Sequence, residues 1–153
     1  MAVEITIDFS KQMTLDADFD EVFDLVADVP KIATMFPKVD KIVELGDNSF
    51  RWEMEKTGVS KYTIQVIYAC KYENDKEKGV INWQPVDGVG NGVNEGTANL
   101  KQTDNGTFVD FSTRLTMTLP LPRLAKGLVK PLIVREFNSV ADKFEKNMIN
   151  YFA

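Results

Sequence analysis

The stretch PLPRLAKGLVKPLIVREFNSVADKFEKNMINYF, residues 120–152, decides how the rest of the chain has to be arranged. It alone carries sustained helical periodicity. Ile133, Phe137, Val140, Phe144, Met148 and Tyr151 recur at steps of three and four, which sets them along one side of a helix. Arg135, Glu136, Asp142, Lys143, Glu145 and Lys146 take the other side. Pro131 has no amide donor and its ring crowds the preceding turn. The reading is therefore a short helix over about 123–130, a kink or restart at Pro131, and a long helix to the end. A helix of roughly 20 residues is about 30 Å long, enough to cross a small sheet. The leading piece, LPLPRLAKGLVKPLIV, is apolar on nearly every side, which a simple surface helix is not.

Upstream of this stretch the pattern is mostly strand. Val3, Ile5, Ile7 and Phe9 alternate with Glu4, Thr6 and Asp8, as in a half-buried strand over 3–13. Asp18 followed by Glu21 has capping-box spacing, and Phe19, Val22, Phe23 and Val26 make a helical apolar stripe. Pro30 ends or restarts that helix, a second short one covers about 30–35, and Pro37 stops it. Strands then follow at 41–45 and 50–57 across Gly46-Asp47-Asn48-Ser49. A long strand carries Tyr62, Ile64, Val66, Tyr68, Cys70 and Tyr72 on one face. Three more occupy 80–85, 95–102 and 108–119, the last two joined across Thr103-Asp104-Asn105-Gly106.

The order is strand, two short helices, six strands, long helix. Tight turns between consecutive strands imply an antiparallel sheet, and seven strands of this length must twist and curl. The expected fold class is α+β: a curved seven-stranded antiparallel sheet wrapped around the C-terminal helix, with two short helices between strands 1 and 2.

Composition sets the bounds. At 153 residues, with 44% hydrophobic and 27% charged side chains, the chain reads as one domain spanning 1–153 with its own core. No apolar run approaches the roughly 20 residues of a membrane span. MAVEITIDFSK alternates as a strand does and is no signal peptide. Cys70 stands alone, so an internal disulfide is excluded and a reducing, cytoplasmic location is expected. The net charge of −5 argues against nucleic acid as a partner. Against that acidic background Arg123, Lys126, Lys130 and Arg135 sit with no acid between 120 and 135. Such a basic, amphipathic segment either decorates a covering helix or makes peripheral contact with anionic lipid or an acidic partner.

Several chemistries fail on residue type. There is no histidine, which removes His-dependent triads, Cys–His dyads and His metal sites together. Cys70 lies mid-strand among aromatic residues, as a buried hydrophobe does. Asp16, Asp18 and Asp20 begin like a calcium loop, but Glu21 and Ala27 occupy positions that need glycine and a carboxylate. Gly88, Gly90 and Gly92 resemble a phosphate loop, yet a strand and not a helix follows them. They read as a long hairpin loop, placed where it could act as a flap. Glu53 and Glu55 alternate with Phe50, Trp52 and Met54, which points them to solvent. Neither a metal nor a cofactor is expected.

The order of elements resembles the START-like superfamily, the helix-grip fold of Bet v 1-type, polyketide-cyclase-type and coenzyme-Q-binding proteins. The resemblance covers nearly the whole chain. It is carried by DADFDEVFDLVADVP with MFPKV, by ELGDNSFRWE, by INWQP and NEGTANL, and by the LPLP run before the last helix. The group associated with carbon monoxide dehydrogenase and the ubiquinone-binding group look similar in equal measure. The resemblance implies an apolar cavity between sheet and helix that holds a lipid, quinone or polyketide-like molecule. The expected lining is Trp52, Met54, Tyr62, Ile64, Val66, Tyr68, Trp83, Phe111, Leu115, Phe137, Val140, Ala141 and Phe144. Met35, Phe36, Leu128 and Leu132 are expected at its mouth. Periodicity alone assigns these positions equally to packed core and to cavity wall.

Three functions are compatible with that picture. The first is binding or carriage of an apolar ligand by a monomer or weak dimer, without a reaction. The second is an aromatase/cyclase-type enzyme acting on a polyketide-like substrate. The third is a membrane-surface adaptor working through the basic 120–135 segment.

Overall fold

The computed structural model describes residues 2–153. Its strands and helices follow the expected order: β1 (Val3–Leu15), α1 (Phe19–Ala27), α2 (Val29–Ala33), β2 (Val39–Gly46), β3 (Ser49–Met54), β4 (Thr57–Val59), β5 (Tyr62–Ile64), β6 (Ile67–Asp75), β7 (Val80–Pro85), β8 (Gly92–Thr103), β9 (Gly106–Leu119) and α3 (Lys126–Tyr151). Seven strands make one sheet in the order β1-β9-β8-β7-β6-β3-β2, and every pairing is antiparallel. The first and last strands pair along their whole length, from Val3 opposite Leu119 to Leu15 opposite Thr107. The helix-grip α+β fold is thus present as expected.

The hairpin turns have the chemistry their sequences specify. Asp47 and Asn48 adopt φ of 51° and 56° between Gly46 and Ser49, the left-handed pair that a two-residue hairpin needs and that Asp and Asn tolerate best. Three expectations differ. The strand read over Tyr62 to Tyr72 is broken at Gln65 and Val66, and its first part pairs with β4 in a separate two-stranded sheet. Gln65 Nε2 donates to the Met54 carbonyl at 2.9 Å, and Asn91 Nδ2 donates to the Gln65 carbonyl at 2.8 Å. Inward parity survives the break, so the alternation could not reveal it. The gain is coverage: Val59, Ile64 and Val66 pack with Ala125, Val129 and Ile133 on the first half of α3.

The second difference lies in α3. It runs without interruption through Pro131, preceded by a 3-10 turn at Arg123–Ala125. The amide missing at Pro131 would have served the Gly127 carbonyl. Both residues are exposed, so water can take that acceptor, while Val129 and Ile133 on either side are buried and hold the helix to the sheet. Tyr151, placed on the apolar side by periodicity, is 55% exposed, because the helix reaches past the sheet at its last turn. The third is the start of α1. Asp18 makes no side-chain cap, and Gln102 Oε1 on β8 accepts from the Phe19 amide at 2.9 Å instead. Asp28 does cap α2, accepting from the Lys31 amide at 3.2 Å.

The buried side chains fall into two large clusters separated along α3. One joins Met13, Leu15, Val22, Phe23 and Ile32 to Phe144 and Met148 at the C-terminal half of the helix. The other joins Ile5, Ile7, Met117 and Leu119 to Val129 and Ile133 at the N-terminal half. Between them, where large aromatic rings meet, packing is incomplete.

Candidate functional site

The gap between the two clusters is a cavity of about 80 Å³ beneath the middle of α3. Strand alternation carries Trp52 and Met54 from β3, Tyr68 and Tyr72 from β6, and Ile81 and Trp83 from β7 onto its wall. Phe111, Thr113 and Leu115 arrive from β9, with Phe9 and Asn94 from β1 and β8. Val26, Ile32 and Phe36 close the end near α1 and α2, while Phe137 and Val140 form the helical roof. A smaller space of about 40 Å³ adjoins it, sharing Met54, Phe137 and Val140 and adding Ile64, Val66, Val59 and Ile133. Lys38 and Glu136 flank this second space and form an ion pair between the α2–β2 loop and α3.

Of the thirteen residues expected to line a cavity, Trp52, Met54, Tyr68, Trp83, Phe111, Leu115, Phe137 and Val140 meet around the main space. Ile64 and Val66 face the smaller one. Tyr62, Ala141 and Phe144 face neither. Phe144 is screened by Phe36, which stacks flat on it at 4.1 Å between ring centroids. Among the four mouth residues, only Phe36 reaches the cavity. Met35 and Leu132 pack against the two core clusters, and Leu128 is 60% exposed. Arg123, Lys126, Lys130 and Arg135 are all exposed and take part in no ion pair among the described residues.

Phe9, Val26, Ile32, Tyr72, Ile81, Asn94 and Thr113 line the cavity without having been expected there. Two had a readable signal. Thr113 stands between Phe111 and Leu115 on the inward face of its strand, and a polar residue on an otherwise apolar face is informative. Asn94 shares the inward parity of Ala98 and Leu100, but the strand begins three residues before the 95–102 reading placed it.

The polar groups of the wall form two small networks. Trp83 Nε1 donates to Asn94 Oδ1 at 2.8 Å, and Thr113 Oγ donates to the same oxygen at 3.0 Å. An indole N–H only donates, so this oxygen must face it and the Asn94 amide nitrogen is left as a donor. No protein acceptor among the described residues takes that nitrogen, and it keeps contact with the open space, since no fully buried polar side-chain atom lacks a partner. Gly96 makes the arrangement sterically feasible. A Cβ there would lie 2.4 Å from the Trp83 ring, so only glycine lets the indole settle against β8. In the second network, Trp52 Nε1 donates to the Tyr72 hydroxyl at 2.9 Å, which leaves the hydroxyl hydrogen of Tyr72 free. The Tyr68 hydroxyl has no protein partner at all among the described residues, and its ring lies 6.0 Å from Trp52, nearly parallel to it.

The electrostatics are neutral. None of the residues lining the main cavity carries a formal charge. Burial pushes the phenols of Tyr68 and Tyr72 well above their ordinary range, so both remain protonated donors. Burial also raises the Cys70 thiol to about 12, which keeps it an inert neutral group donating weakly to the Asn94 carbonyl at 3.3 Å. Glu53 is held by Arg51 at 2.7 Å, apart from the cavity. The 86–91 loop lines neither space. Asn91 pins it to the β5–β6 break, with its side-chain oxygen on the Ile67 amide at 2.9 Å. Among the described residues no group of three or more His, Cys, Asp or Glu side chains is placed to hold a metal, and no helix is long and apolar enough to cross a membrane.

Comparison with known proteins agrees with this geometry. No curated protein matches the chain by sequence. An aromatase/cyclase of Streptomyces sp. R1128, Zhui, superposes with a TM-score of 0.58 at 18% identity, over 95% of this chain and 90% of its own. A protein of Thermus thermophilus gives 0.58 at 17% identity, over 99% of this chain and 100% of its own. A conserved protein of Geobacillus kaustophilus gives 0.64 at 11% identity, over 95% of both chains. At such identities these likenesses establish the fold alone. The family described as polyketide cyclase / dehydrase and lipid transport matches residues 6–148, nearly the entire chain, and the protein belongs to it.

Proposed function

We propose that the protein binds and carries a neutral, largely apolar molecule bearing a hydrogen-bond acceptor, in the space between the sheet and α3. One observation carries this reading: an uncharged, aromatic-walled cavity whose Asn94 amide and Tyr68 hydroxyl have no protein acceptor. A buried donor without a partner costs roughly 1–3 kcal/mol, which a ligand oxygen would recover. Trp52, Tyr68, Trp83 and Phe111 offer flat faces, so a planar ring system with carbonyl groups, such as a quinone, suits the wall. Small-molecule sites usually enclose about 300–1,000 Å³. The cavity here is smaller, so binding requires Phe36, Met54 and Phe137 to move apart.

The experiment is native mass spectrometry of the purified protein, followed by solvent extraction of whatever is bound. Where nothing co-purifies, a naphthoquinone serves as probe. The two tryptophans, Trp52 and Trp83, both line the cavity, so their fluorescence should quench saturably as the quinone enters. Val140→Trp fills the roof between the two spaces at a cost of about 1–3 kcal/mol and should abolish bound mass while the fold persists. A ligand retained by Val140→Trp, or tryptophans indifferent to the quinone, would refute the assignment.

The family and the likeness to an aromatase/cyclase favour a second reading, in which the same donors fold a polyketide-like chain for ring closure. The absence of an ionised group from the cavity wall supports carriage over proton transfer. Product analysis with a poly-β-ketone surrogate separates the two: carriage predicts recovery of unchanged ligand.

A further inference from the structure

Leu124 is 96% exposed and Leu128 60%, four residues apart and therefore one turn from each other on the same side of the helix. A single exposed leucine needs no explanation. Two adjoining leucines framed by Arg123, Lys126 and Lys130 do. All three cations are exposed, and none is paired among the described residues. Nor can the segment turn its leucines inward. Leu121, Ala125, Val129 and Ile133 are buried on the opposite side and fix the rotation of the helix against the sheet.

We propose that the N-terminal end of α3, with the 3-10 turn before it, is a docking site for an anionic lipid surface. The leucines enter the boundary between headgroups and acyl chains, and the three cations meet the phosphates around them. The geometry favours lipid over two other occupants. A second copy apposed through the same patch by two-fold symmetry would set three cations against three, which repels. A protein partner needs about 800 Å² of matched surface on each side, and two leucines on a convex helix end supply far less. A bilayer demands no shape complementarity. The wall of the smaller cavity begins on the same helix at Ile133, five residues or about 7.5 Å beyond Leu128, so docking brings that wall close to the bilayer. The link to ligand exchange rests on the function proposed above, whereas the docking itself does not.

The test is co-sedimentation of the intact chain with vesicles of phosphatidylcholine alone or mixed with phosphatidylglycerol, at low and high salt. The expected result is association with the mixed vesicles at least about tenfold tighter than with the neutral ones, and weakened by salt. Leu124→Ser with Leu128→Ser, and separately Lys126→Glu with Lys130→Glu, should each weaken it about tenfold or more. All four side chains are exposed, so both pairs should keep the circular dichroism spectrum and the quinone quenching of the parent. The proposal is overturned by no association with either vesicle, by association that neither pair alters, or by dimerisation that the serine pair abolishes.

Discussion

Asn94 and Tyr68 separate two kinds of polar residue that look alike in a sequence. Replacing Asn94 by Leu leaves the Trp83 N–H with only Thr113 at 3.4 Å, so unfolding free energy should fall by about 1–3 kcal/mol in denaturant titrations. Tyr68→Phe removes a hydroxyl that no protein group uses. Stability should change by less than about 0.5 kcal/mol, while quinone affinity should drop roughly three- to tenfold. An equal loss of stability in both variants would show that Tyr68 serves packing and not a ligand. Cys70 gives a pH-dependent expectation. Its thiol is held neutral in the fold, with a pKa raised from 9.0 to about 12, so the stability it contributes is complete below pH 9 and is lost as pH rises toward 12. Denaturation midpoints should therefore decline above pH 9, at most about 1.4 kcal/mol per unit from this group, and decline less steeply in Cys70→Ala. A thiol reagent at neutral pH should find Cys70 only after unfolding.

At the scale of elements, side-chain periodicity served well for direction and poorly for continuity. Inward parity from Tyr62 to Tyr72 is unbroken although the chain leaves the sheet between β5 and β6. What interrupts it is hydrogen bonding by Gln65 and Asn91, from residues 26 apart in sequence. Pro131 shows the converse. Its local chemistry argues for a break, and burial of Val129 and Ile133 overrides it. Pro131→Ala restores a donor for the Gly127 carbonyl without touching the core, and should raise stability by roughly 1–2 kcal/mol, measurable as a higher melting temperature. A lower melting temperature would mean that the rigid ring is needed to set the start of α3.

For the whole molecule, the decisive feature is that two well-packed clusters grip the ends of α3 and leave the middle open. The fold therefore does not depend on filling the cavity, and ligand-free protein should remain folded. A bound ligand still stabilises it by mass action, by about 2.7 kcal/mol at a hundred times its dissociation constant. Solvent-stripped protein should melt lower than protein carrying its co-purified ligand, and added quinone should restore the difference. Identical melting curves would place any co-purified molecule outside the core.

The sequence by itself determined the class of fold, because alternation over six strands and a 3.6-residue repeat at the end are properties of the covalent chain. It also determined which face of each strand turns inward, and that no histidine chemistry was available. Only the tertiary structure decided which inward residues border empty space. Phe144 and Phe137 share a face of α3, yet Phe36 lies flat on the first while the second stands over the cavity. That distinction depends on how rings from distant elements stack and on which donors find acceptors across the sheet. Those are facts about neighbours in space, and no spacing along a chain encodes them.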